Sequence, residues 1–257
     1  MRETSIIATI GPASRKEAVF SKMLPYVDMV RFNFSWGKYE EVEESILMIR
    51  KVGKEFGKKV SIIQDLSGPR VQNGSEHHFN DGSQNVITEK DLKDLAFGIK
   101  HKVDYVALSY VGNANDIRKL RTHMDSLGSV IPIIAKIERR EAVDNVEEII
   151  EVADAIMIAR GDLGEAYPIE EIPFLEHRIL SLCNKKERFV IVATEMLLSM
   201  VKSNRPTRAE VTDVAYAITD GADAVMLSEE TANGNHPALV VEVLDRIVRY
   251  AEKHKTM

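Results

Sequence analysis

The sequence predicts an α/β protein folded as a single (β/α)8 TIM barrel. Three observations carry the prediction. Eight short runs rich in Val and Ile recur along the chain, longer amphipathic segments separate them, and 257 residues is the right length for eight strand–helix units. The runs mostly lack strict alternation, as expected of parallel strands buried on both faces. An open doubly wound sheet is the structural rival, but it usually carries fewer strands, and no G-x-G-x-x-G follows the first run.

The strand-like runs are residues 5–9, 28–34, 59–66, 104–110, 131–138, 153–159, 189–194 and 222–228. Between them, 40–56 places Val42, Ile46, Ile49 and Val52 at helical spacing, and 113–126, 142–152, 169–184, 207–219 and 237–254 read the same way. The third unit is irregular. Ser67-Gly68-Pro69-Arg70 follows Leu66, then comes a polar stretch with Gly74, Gly82 and the turn signal Asn80-Asp81-Gly82. A helix begins only near Thr88-Glu89-Lys90-Asp91, with Thr88 as the N-cap. A loop at about 73–86, or a small hairpin, therefore follows strand three, and loops of that length in compact domains usually serve function.

Composition excludes several classes. The net charge of −6 supplies no broad basic face for nucleic acid. The single cysteine, Cys183, allows no internal disulfide and fits a reducing compartment and core packing. No apolar run reaches membrane-spanning length. Met1-Arg2-Glu3-Thr4 runs straight into a strand, so no signal peptide is expected and the location is read as cytoplasmic.

Polar residues gather where the runs end: Thr9, Arg31-Phe32-Asn33-Phe34-Ser35, Asp65, Ser109, Lys136-Ile137-Glu138, Arg160-Gly161-Asp162, Thr194-Glu195 and Ser228-Glu229-Glu230. In a parallel barrel the strand C-termini open on one face, where such folds keep their chemistry. One polar strand end only marks where a strand meets water; eight together point to a site. Lys136 and Glu138 are two apart and share one side of their strand. Glu138 and Asp162, on adjacent strands, offer the oxygen ligands that Mg2+ or Mn2+ takes with water. The alternative for these two is a pair of surface salt bridges. Gly161-Asp162-Leu163-Gly164 could open a short helix whose N–H groups would hold an anion. With Arg31 and Lys136, this set would bind a small anionic substrate and stabilise an enolate. His77-His78 in the polar loop and the lone Trp36 carry weaker signals: exposed histidines, and a lid contact or packing.

Several segments, in order, resemble the pyruvate kinase family. They are Thr9-Ile10-Gly11-Pro12-Ala13-Ser14, Arg31-Phe32-Asn33-Phe34-Ser35, Asp65-Leu66-Ser67-Gly68-Pro69, Ala135-Lys136-Ile137-Glu138 and Met157-Ile158-Ala159-Arg160-Gly161-Asp162-Leu163-Gly164. Ala193-Thr194-Glu195-Met196-Leu197, Arg205-Pro206-Thr207-Arg208-Ala209-Glu210 and Asp220-Gly221-Ala222-Asp223-Ala224-Val225-Met226-Leu227-Ser228 continue the series. The resemblance covers nearly the whole chain and implies roles. Glu138 and Asp162 match the divalent-metal ligands, and Lys136 the lysine that neutralises the transferring phosphoryl group and the enolate. Arg31 matches an arginine on the substrate phosphate. Thr194 and the N–H groups of Gly161 and Asp162 match the pocket for the substrate carboxylate. Asn33, Ser35, Asp65 and the Leu66 carbonyl match a monovalent-cation site, usually K+.

The departures from the family pattern fall on the nucleotide half. A short loop stands where the family inserts a lid domain, and the family's C-terminal regulatory domain has no counterpart in this sequence. Gln72 stands for an arginine, Trp36 for a histidine, Glu195 for a glutamine and Glu229 for a glycine. Two extra carboxylates would repel nucleotide phosphates if they faced inward. Arg70 lies beside the K+ position and could stand in for that ion. Three readings stay open at this level. One is phosphoryl transfer between phosphoenolpyruvate and ADP. The second is a nucleotide-independent pyruvate lyase or aldolase on the same metal–enolate site. The third is a non-catalytic metabolite-binding homologue, which the joint presence of Lys136, Glu138, Asp162 and Thr194 speaks against. The expected partners are phosphoenolpyruvate or pyruvate, with ADP or ATP left open, and a second copy of the chain as in family oligomers.

Overall fold

The computed structural model describes residues 2–73, 76–80 and 85–255. Eight parallel strands close into a barrel with helices between them, as the sequence predicts. The strands in chain order are β1 (Ser5–Thr9), β2 (Met29–Asn33), β3 (Ser61–Asp65), β4 (Arg70–Asn73), β5 (Glu76–Phe79), β6 (Tyr105–Leu108), β7 (Ile133–Ile137), β8 (Ala155–Ala159), β9 (Phe189–Ala193) and β10 (Ala224–Leu227). The barrel runs β1-β10-β9-β8-β7-β6-β3-β2, and β4 pairs antiparallel with β5 outside it. All five residues of β7 and of β8 are buried, which explains why β8 reads as an unbroken apolar run and why β7 is apolar but for Lys136, rather than alternating.

The chain divides into two compact units. The first comprises 1–32, 37–63 and 191–257; the second comprises 33–36 and 64–190. In the first, β1 pairs with β2 so that Thr9 lies opposite Arg31, and with β10 on its other side. In the second, β7 pairs with β8 so that Lys136 lies opposite Met157.

The helices follow the sequence expectation with two adjustments. The helix expected over 142–152 is two, Arg140–Asp144 and Val146–Val152, broken at Asn145. Asn145 donates its side-chain amide to the Gly112 carbonyl at 2.9 Å, anchoring the break to the loop after β6. The helix expected from 169 opens with a 3-10 turn, Ile169–Glu171, and runs on as Ile172–Lys185 with a proline in its first turn, where the missing N–H costs nothing. Two short helices, Glu17–Met23 and Glu229–Ala232, carry no clear periodicity in sequence.

Two caps place the loops that matter. Thr88 and Asp91 form a reciprocal capping box on the helix Glu89–Lys100, and Asp91 also accepts from the Gly68 N–H at 3.2 Å. Asn113 and Asp116 do the same for Ala114–Ser126, with Asp116 accepting from the Gly112 N–H at 2.8 Å. Each helix start thus holds the loop leaving the preceding barrel strand. In the irregular third unit, the segment expected as a loop or hairpin is a hairpin, β4–β5. The side chains at 72, 73 and 76–78, and residues 74, 75 and 81–84, lie outside the described residues. The expectations for Gln72, His77-His78, Gly74 and the Asn80-Asp81-Gly82 turn fall there. Cys183 is buried, as expected of core. Among the described residues, no helix is long and apolar enough to cross a membrane.

Candidate active site

The second unit gathers the chemistry-bearing residues at the C-terminal ends of β3, β6, β7 and β8. Lys136, near the end of β7, is 4% exposed. Its ammonium lies 2.7 Å from Glu138 Oε1 and 3.2 Å from Asp65 Oδ1, and donates to Ser109 Oγ at 2.8 Å. Alternation along the strand puts Lys136 and Glu138 on one side, as the sequence predicts. Ser109 in turn donates its hydroxyl hydrogen bond to the Leu66 carbonyl at 2.7 Å. This is a buried network of one cation and two carboxylates, with the hydroxyl taking the remaining donor capacity. Glu138, 2% exposed, is therefore not a surface ion pair.

Glu138 has a second anchor. Its Oε2 accepts from the Tyr110 N–H at 2.7 Å. Burial pushes its carboxyl up to about 6, against the opposing pull of Lys136; the negative charge of Asp162 adds to the rise. The negative charge of Asp162 helps to raise Glu138, and two carboxylates that feel one another in this way suit a hard divalent cation. Among the described residues no cluster of three or more His, Cys, Asp and Glu is found, so Mg2+ or Mn2+ here would take two protein carboxylates and complete its shell with substrate and water oxygens.

Asp162 sits in the first turn of the helix Arg160–Ala166, which directly follows β8 as the Gly161-Asp162-Leu163-Gly164 signal anticipates. Gly161 and Asp162 lie in its first turn, where a helix's own carbonyls supply no acceptor for the N–H groups. Arg160 is pinned by Glu176 at 3.2 Å, both side chains being buried. The tyrosine hydroxyl of Tyr110 donates to Asp162 Oδ1 at 3.2 Å. Burial, and then the charge of Asp162, pushes that hydroxyl well above the usual phenol range, so it stays a donor.

The expected monovalent-cation residues 33, 35, 65 and 66 also lie in this unit. Asn33 Oδ1 accepts from the Ser35 N–H at 3.1 Å, Asp65 pairs with Lys136 and the Leu66 carbonyl accepts from Ser109, while Ser35 Oγ is buried without a hydrogen-bond partner among the described residues. Arg70 donates its Nε to the Ser67 carbonyl at 3.2 Å, and its Nη1 is buried. Lys90 donates to the Phe34 carbonyl at 2.7 Å and to Ser67 Oγ at 3.1 Å. Trp36 is 54% exposed.

In the first unit, Arg31 is largely buried and donates Nη1 to Thr9 Oγ1 at 3.3 Å. Thr194 and Glu195 follow β9 with φ of 72° and 55°. That conformation is unfavourable for a β-branched residue, and such strain collects at functional positions. Buried Glu230 accepts from the N–H groups of Leu197 and Ser228 and ties together the loops after β9 and β10. Glu195 and Glu229 are exposed.

Tyr110 and Lys90 escape a reading of strand ends. Tyr110 follows Ser109 in a run that reads as strand through 110, and nothing in that run announces that its backbone turns left-handed with φ of 55°.

The family model described as pyruvate kinase, barrel domain, matches residues 1–87 and 81–241. The chain belongs to that family. It is 34% identical over 336 aligned positions to a pyruvate kinase of Sporosarcina psychrophila, covering 98% of this chain and 57% of that protein. It is 33% identical to a pyruvate kinase of Corynebacterium efficiens and 33% identical to one of Thermotoga maritima, covering 70% and 72% of those proteins. The chain thus spans little more than half of the Sporosarcina relative. The family alignment breaks and resumes at 81–87, just past the hairpin, and the aligned lengths exceed the 257 residues of the chain. The relatives therefore carry internal sequence that this chain lacks.

Proposed function

We propose that this barrel transfers a phosphoryl group between phosphoenolpyruvate and ADP, the activity for which its relatives are named. The observation that supports the reading most is the buried ammonium of Lys136, held at 2.7–3.2 Å by Glu138, Ser109 and Asp65. Phosphoryl transfer asks a protein for positioning and charge neutralisation and for little covalent chemistry.

In this reading Arg31 holds the phosphate of the substrate. Thr194 and the N–H groups of Gly161 and Asp162 hold its carboxylate. Lys136 faces the transferring group and then the enolate oxygen. Glu138 and Asp162 hold Mg2+ or Mn2+, which when bound adds positive charge at the phosphoryl oxygens. The bond between phosphorus and the enol oxygen breaks, an oxygen of ADP takes the phosphoryl group, and the enolate left behind takes a proton at its methylene carbon.

Two finer points belong to the same reading. The β4–β5 hairpin takes the place of the family's lid domain, which the interruption of the family match at 81–87 supports. Arg70 supplies the fixed positive charge for which the family uses K+, supported by its Nε contact to the Ser67 carbonyl beside Leu66.

The test is ATP formation from phosphoenolpyruvate and ADP with Mg2+ present. Turnover is expected, and Asp162→Asn should reduce it roughly 100-fold or more. No ATP formation, together with Mg2+-dependent exchange of the pyruvate methyl protons, would overturn the transfer step and leave enolate chemistry without a nucleotide.

A further inference from the structure

We infer that Tyr110 is the positioning residue for both carboxylates of the divalent-metal site, an inference that rests on reading Glu138 and Asp162 as the metal ligands. Tyr110 is 2% exposed and lies just past β6. Its N–H donates to Glu138 Oε2 at 2.7 Å, and its hydroxyl donates to Asp162 Oδ1 at 3.2 Å. One residue thus reaches the carboxylates that follow β7 and β8. A donor on one oxygen of a carboxylate sets the rotation of the group, and with it the direction in which the remaining lone pairs face a metal.

The residue is itself rigidly held. Its φ of 55° is rare for an aromatic side chain and lets the N–H and the ring diverge toward two different groups. The ring packs on Phe79 of the hairpin with centroids 5.3 Å apart, and the Arg70 guanidinium lies 5.8 Å from its centre. On another side, a Cβ added to Gly68 would come within 2.8 Å of the Tyr110 Cδ2, so the glycine of Ser67-Gly68-Pro69 makes the space that the ring fills. Arg139 donates Nε to the Tyr110 carbonyl at 2.9 Å, and its guanidinium lies over the Phe79 ring at 4.5 Å. Backbone and ring are fixed independently. The hydroxyl therefore arrives at Asp162 already placed, at little further cost in side-chain entropy.

Tyr110→Phe removes only the hydroxyl and keeps the ring, the N–H and the turn. The experiment titrates Mn2+ into the full chain without substrate and follows free and bound ion by electron paramagnetic resonance. Wild type, Tyr110→Phe, Glu138→Gln and Asp162→Asn are compared, and a thermal melt is recorded for each. Tyr110→Phe is expected to bind Mn2+ about tenfold more weakly and to change the line shape of the bound ion, while its melting midpoint stays within about 4 °C of wild type. Wild-type affinity and line shape in Tyr110→Phe, with Glu138→Gln and Asp162→Asn both impaired, overturns the positioning role alone. A wild type that binds Mn2+ no better than Asp162→Asn overturns the metal reading, and the positioning role with it.

Discussion

Replacing Lys136 by methionine keeps most of the side-chain volume and removes the ammonium between Asp65 and Glu138. Those carboxylates are 1% and 2% exposed, so water cannot take over as partner. Breaking a buried pair in this way costs about 3–5 kcal/mol, because an uncompensated charge is left inside. The chain can relieve this by protonating Glu138. Burial already holds that carboxyl at about 6, above the ordinary 4.5, with Lys136 pulling the other way. Without Lys136 it rises further. An acid whose pKa is higher in the folded state binds its proton more tightly there than in the unfolded chain. Stability of the variant therefore falls as pH rises from the ordinary carboxylate range through the folded pKa, and levels off above it. The loss is expected to be small at pH 5 and full at pH 8. At ~3 °C per kcal/mol for a chain of this size, the melting midpoint drops by roughly 10 °C at pH 8. Thermal melts by circular dichroism at both pH values check this, with Lys136→Met/Glu138→Gln recovering part of the loss at pH 8. A drop under about 3 °C at pH 8, or one of equal size at pH 5, would refute the reasoning.

Other outcomes follow from single contacts. Gly68→Ala places a methyl group against the Tyr110 ring at a residue with φ of 64°, so urea unfolding should show a loss of about 2–3 kcal/mol; unchanged stability contradicts the packing described. Mn2+ affinity of the wild type should weaken as pH falls below about 6, where burial keeps the proton on Glu138 and the metal must displace it; a flat titration between pH 5 and 8 counts against Glu138 as a ligand. Turnover should be the same in KCl and in tetramethylammonium chloride if Arg70 supplies the fixed charge, and a strict K+ requirement sinks that role. Thr88→Ala should cost about 1 kcal/mol by opening the capping box with Asp91, measurable in the same urea experiment; no change would mean the box does not hold the loop at Gly68.

Much of the fold was legible because parallel barrel strands have a simple physical signature. A strand buried on both faces is mostly apolar, so β7 and β8 announce themselves as Ile- and Ala-rich runs, and the polar residues at or just past their C-terminal ends, Lys136 and Arg160, mark where the strands finish. Lys136 and Glu138 could be paired from spacing alone, since period two is fixed by the backbone. The split at Asn145 could not be read, because the apolar spacing continues across it and only the amide bond to Gly112 explains the break. Nor could the burial of the Lys136 network, since the same residue types at a strand end also make exposed ion pairs.

The sequence by itself determined the eight strands, their order, and which residues stand at their C-terminal ends. Those features depend on burial pattern and periodicity, which are local properties of the chain. Only the tertiary structure decided which of those residues meet. The bonds from Tyr110 to Glu138 and Asp162 span 28 and 52 positions, and they depend on a left-handed turn at a tyrosine and on a ring seated against Gly68 and Phe79. No short-range pattern encodes such contacts, because their geometry is set by strand register and by the packing of loops from separate strands.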